Sequence, residues 1–141
     1  MLEAFSSIPW WAVLAAAFAS FVLGGVWFAL LLAKPYARAL GKENAPPPKP
    51  TPLFLIGPLV CGFVMAATSA VLQALLHIDT ANAAAAWGAL LGLGYLGATA
   101  TNVAINPNIP RPLLYALVNV PYFALSSILI QLLLVLSLIH I

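Results

Sequence analysis

The apolar positions of this sequence come in long runs rather than in alternation. Residues 9–33, 53–76, 83–105 and 113–136 are almost unbroken Leu, Ala, Val, Ile, Phe and Gly, with polar residues gathered between them. Each run reaches the roughly 20 residues that a helix needs to cross bilayer hydrocarbon. Strands of a membrane barrel would alternate apolar and polar residues over about ten positions. Segments such as AVLAAAF, VLQALL and ILIQLLLVL do not alternate. The pattern predicts an all-α polytopic membrane protein, a four-transmembrane-helix bundle forming one membrane domain over residues 1–141. The first run is no cleaved leader, because it lacks a basic start and is too long.

The ends of the runs carry helix-start chemistry. Thr51-Pro52 puts a capping hydroxyl before a proline, whose missing N–H costs nothing at the first helical position. Thr80 and Asn82 offer caps to the third span, and Pro112 opens the fourth. KPYARALGK (34–42) predicts about one and a half helical turns, with Tyr36 at headgroup level and Arg38 and Lys42 in water. The loop at 43–52 is proline-rich, with Pro46, Pro47, Pro48, Pro50 and Pro52 in close succession, and reads as a stiff polyproline II spacer. Its P-x-x-P pattern is a ligand signature for SH3-type domains, but the spacer reading is preferred.

Charge then orients the bundle. Only 6% of the residues are charged, against about a quarter in an ordinary soluble domain. Lys34, Arg38, Lys42 and Lys49 lie between the first two runs and Arg111 between the last two. The positive-inside rule therefore puts both basic loops in the cytoplasm and both termini outside, across the cell (inner) membrane. The basic excess follows from topology and calls for no nucleic-acid partner. The expected partners are the lipid bilayer and either further copies of the chain or a larger membrane complex.

GLGYLG (92–97) matches the G-x-G-x-x-G of dinucleotide loops. That motif needs a preceding strand and an acidic residue about twenty positions on. No Asp or Glu follows Asp79, and the motif sits inside a span, so no nucleotide or other cofactor is expected. Gly88 and Gly92, four residues apart, instead make the small-xxx-small spacing that lets helix backbones approach. Gly94 and Ala98 begin a second such line that reaches Asn102 and Asn106. Ala16, Ser20 and Gly24 do the same in the first span, and Gly62, Ala66 and Ala70 in the second.

Candidate chemistry is sparse. No Asp, Glu, Lys or Arg lies mid-span, where pumps and ion transporters usually keep one. His77-x-Asp79 reads as a solvated loop with a cap, and no metal site is expected. Cys61 is alone, so it has no disulfide partner within the chain. NPN (106–108) reads as a turn. The intramembrane serines have no His or carboxylate at their depth, so no catalytic residue is named and no enzyme is expected. Span polar residues include Thr68, Ser69, Gln73, Thr99, Thr101, Asn102, Asn119, Tyr122, Ser126, Ser127 and Gln131. Pro121 cannot donate to the carbonyl of Leu117, which then needs another donor. The short loop makes the last two spans antiparallel neighbours. Asn102 and Asn119 then fall at similar depth, with Tyr122 a turn deeper and Trp27 closing a third side. Asn102, Asn119, Tyr122 and Trp27 form the candidate polar cluster.

Two segments carry a family resemblance. GGVWFALLLAKPYARALGK, ending the first span, and ATATNVAINPNIPRPLLYALVNVPYFALSSILI are similar to a bacterial integral-membrane family catalogued as domain of unknown function seventeen-sixty-one. Trp27-Phe28 stands where that family more often has Trp-Tyr, and Pro121 where glycine precedes the tyrosine. The resemblance implies the four-helix fold and membrane location, and supplies no activity. The functional expectation is a non-catalytic structural or accessory bundle, with a carrier or channel subunit for a small neutral or weakly polar solute as the alternative.

Overall fold

The computed structural model describes residues 8–46 and 49–139; the calls on Pro47, Pro48 and His140 lie outside these residues. Among the described residues there are five helices and no strand. We number them α1 (Trp10–Leu31), α2 (Ala33–Ala39), α3 (Pro52–Leu76), α4 (Ala81–Ala104) and α5 (Pro112–Ile139). All but α2 are long and apolar enough to cross a membrane. Their boundaries lie within three residues of the sequence expectation, and the basic segment after α1 forms the short helix expected of KPYARALGK. Thr51 Oγ1 accepts from the Phe54 amide and Thr80 Oγ1 from the Ala83 amide, both at 3.3 Å, so both hydroxyls cap. In the turn after α4, Asn106 Oδ1 accepts from the Asn108 amide at 2.9 Å.

The outer surface is apolar in a way that water would not tolerate. Leu30 is 75% exposed, Leu53 80% and Leu113 79%. With four spanning helices beneath such a coat, this is a multi-pass membrane protein whose sides contact lipid.

α5 is the axis of the bundle, touching α1, α2, α3 and α4. Ala12, Val13, Ala16 and Ala17 of α1, Ala66 and Ala70 of α3, and Ile130 and Leu134 of α5 form one core cluster. The small side chains permit this packing. Lipid supplies no hydrophobic drive between helices, so association rests on close van der Waals fit and interhelical hydrogen bonds.

α4 packs chiefly on α5, at very short range. A Cβ on Gly88 would lie 2.6 Å from the Ile128 Cα, and one on Gly92 2.6 Å from the Ala124 Cα. Only glycine fits at either point. Between Leu91 and Gly97 the helix widens into π-type turns. The contact line therefore steps from Ala84, Gly88 and Gly92 to Gly97, Ala100 and Ala104, all buried. A similar widening ends α1 at Val26–Leu31.

Candidate functional site

The candidate cluster lies at the end of the bundle that carries the basic loops, and the structure assembles only part of it. Trp27 Nε1 donates to the Val118 carbonyl at 3.0 Å, linking α1 to α5. Tyr122 lies 6.5 Å from Trp27 between ring centroids, and 4.9 Å from Phe28 in an edge-on arrangement. Its hydroxyl sits over Gly24, where an added Cβ would be 3.0 Å from Oη. Asn119 is buried on the same helix, but its amide turns back to donate to the Tyr115 carbonyl at 2.8 Å. That bond stays within α5.

Asn102 is not in the cluster, which corrects the sequence expectation. It is exposed, as are Gly94, Ala98 and Asn106 along the same line. The cause is helical register. Asn102 follows Ala84 by 18 residues, five full turns of a regular α-helix, so periodicity puts both on one face. The wide turns at Leu91–Gly97 absorb roughly one extra residue and rotate the rest of α4 by about 100°. Ala100 and Ala104 then meet α5, and Asn102 swings out.

Pro121 takes the helical donor from the Leu117 carbonyl, and the Trp27 indole reaches the next carbonyl along, that of Val118. α5 runs unbroken through this point.

Around the cluster the aromatic rings form a collar. Phe28 meets Tyr36 of α2 at 4.9 Å, and Tyr36 meets Tyr115 of α5 at 6.1 Å. Burial and, secondarily, Tyr115 push the Tyr36 phenol above its ordinary pKa. Outside the collar, Arg111 grips Glu43 with two contacts of 3.0 Å and donates to the Arg38 carbonyl. The guanidinium hydrogen bonds hold the Glu43 carboxyl below the usual carboxylate range, with the Arg111 and Arg38 charges adding to the effect.

Deeper polar contacts complete the picture: Ser126 and Gln131, which the sequence sets with Asn119 along one side of the last span as a track facing the third, bond instead to α1 and α3. Ser20 Oγ and Ser126 Oγ share a 2.8 Å hydrogen bond between α1 and α5. Further along, Gln73 of α3 donates through Nε2 to Gln131 Oε1 and to the Gln131 carbonyl. Both glutamines are almost wholly buried, and Gln73 Oε1 and Gln131 Nε2 have no partner among the described residues. For the pairing itself the signal was one glutamine in each of two apolar runs. Spacing could not show that they meet.

No group of three or more His, Cys, Asp or Glu side chains capable of holding a metal occurs among the described residues. Cys61 is exposed on α3. His77 sits at the end of α3 in the left-handed conformation, φ 53°, and serves as the helix terminator. Nothing matches this chain among curated proteins or solved structures. A family model, described as "Protein of unknown function (DUF1761)", nevertheless matches the chain over residues 11–137. The chain belongs to that family.

Proposed function

We propose that this protein is a non-catalytic structural or accessory bundle that packs with further copies of itself or with a larger membrane assembly. The observation that carries the reading is where the buried polar groups spend their hydrogen bonds. Ser20 and Ser126 bond each other, Trp27 donates to the Val118 carbonyl, Asn119 to the Tyr115 carbonyl and Thr101 to the Gly97 carbonyl. These bonds hold helices together or cap local carbonyls. Interhelical hydrogen bonds in lipid contribute about 0.6–2 kcal/mol each, enough to specify a bundle. The reading extends to a bacterial inner membrane, with the basic end in the cytoplasm and both termini outside.

A second reading, a carrier or channel subunit for a small neutral solute, draws on one observation. The buried Gln73–Gln131 pair leaves one acceptor and one donor unpartnered. Leaving buried polar groups unpaired costs about 1–3 kcal/mol, and a passing hydroxyl or amide would satisfy both. Liposome flux separates the readings. Purified protein reconstituted at high density should leave glycerol and urea permeability at the level of protein-free vesicles, measured by stopped-flow light scattering. Permeability above that level, abolished by Gln131→Leu in protein that still folds, would replace the first reading with the second.

A further inference from the structure

We propose that α2 and the turn after it form a docking face for anionic phospholipid headgroups, built from Lys34, Arg38 and Lys42. Three observations meet here. The first is amphipathicity. At about 100° per residue, Lys34 and Arg38 share one side of α2, while Tyr36 and Ala39 lie about 150° round. Ala39 is fully buried and Tyr36 packs against Phe28 and Tyr115, so that second side is fixed to the bundle. Lys34, Arg38 and Lys42 are exposed.

The second observation is depth. Leu30 and Leu31, the last residues of the first apolar span, are 75% and 63% exposed. Lys34 follows them by one helical turn, the level of lipid phosphates. A long cationic side chain there reaches a phosphate without burying its charge.

The third is the removal of the one competing acid. No Asp or Glu other than Glu43 lies between residues 4 and 78. Glu43 would neutralise the face, but both of its oxygens are held by Arg111, reaching across from the loop before α5. Arg111 thus cancels Glu43 and leaves three cations uncompensated. Topology alone explains why basic residues occupy these loops. It does not explain why they share one face, or why the acid beside them is clamped.

Charge complementarity identifies the occupant as an anionic leaflet. Each basic residue near such a surface favours it by roughly fivefold, and the effect weakens as salt screens it. The test is lipid retention, measured by native mass spectrometry of the full chain released from mixed phosphatidylglycerol and phosphatidylcholine nanodiscs with matched acyl chains. The wild type should retain phosphatidylglycerol over phosphatidylcholine severalfold. K34Q/R38Q/K42Q should bring that ratio back to the bulk composition with helicity and elution unchanged, since all three side chains are exposed. The charge-neutral pair E43Q/R111Q leaves the three cations in place and should keep the preference. Raising ionic strength on the wild type should erode the preference without any substitution, and excess inorganic phosphate at fixed ionic strength should not. Retention at the bulk ratio in the wild type, an undiminished preference in the triple variant, or displacement by inorganic phosphate would each overturn the proposal.

Discussion

At the residue scale, this bundle depends on where a side chain is missing. Gly88 and Gly92 lie where an added Cβ would fall 2.6 Å from the Cα of Ile128 or Ala124. Those atoms are backbone, so relief requires moving a helix. Gly94, two residues on, has nothing within 4 Å of its missing Cβ. The same substitution at the two sites should therefore have opposite signs. Gly92→Ala should destabilise by about 1–3 kcal/mol through overpacking. Gly94→Ala should be neutral or stabilising by up to about 1 kcal/mol, because an interior helical glycine is replaced at no steric cost. Thermal unfolding in a single detergent, with helicity as the readout, compares the two directly. Equal effects would mean that the α4–α5 contact is not where Gly92 sits.

At the scale of the helices, two interruptions decide how much could be read from sequence. The four spans were legible because hydrocarbon thickness imposes a length that composition reveals, and the caps at Thr51 and Thr80 were legible because capping chemistry is local. The i, i+4 spacing of Gly88 and Gly92 pointed to a helix contact for the same reason. The place of Asn102 was not legible. It depends on how many residues the turns between Leu91 and Gly97 contain, and a regular 3.6-residue period cannot report that. The Gln73–Gln131 pair was equally hidden, since it depends on the relative rotation of two helices far apart in the chain. The second irregularity is Pro121, beside which α1 sets the Trp27 indole on the Val118 carbonyl. Trp27→Phe keeps an aromatic ring beside Tyr122 and removes the N–H donated to Val118 together with one ring of the indole. The expected cost is about 0.5–1.5 kcal/mol, the usual net worth of one hydrogen bond, read as a lower unfolding midpoint with unchanged helicity. No change would mean that the indole contributes by packing alone.

At the scale of the whole molecule, the two ends differ in a way that makes orientation testable. One end carries α2, the aromatic collar and the Arg111–Glu43 clamp, which ties the loop after α1 to the loop before α5. Because Arg111 reaches both Glu43 and the Arg38 carbonyl, the two basic loops occupy the same side of the bundle. The other end has His77 and Asp79, both exposed, and no basic loop. Translocating the first end would carry Lys34, Arg38, Lys42, Lys49 and Arg111 across the bilayer, whereas translocating the second carries no Lys or Arg of the loop at 77–80. Short loops rich in Lys and Arg stay in the cytoplasm. A single cysteine placed at residue 45 in a Cys61→Ser background should therefore resist a membrane-impermeant maleimide in intact cells and react once the membrane is opened. A cysteine at residue 79 should react in both. Labelling of residue 45 in intact cells would invert the topology and put the basic end outside. The protein's affinity for anionic lipid would then be sampled by the opposite leaflet, while the face formed by Lys34, Arg38 and Lys42 would keep its chemistry.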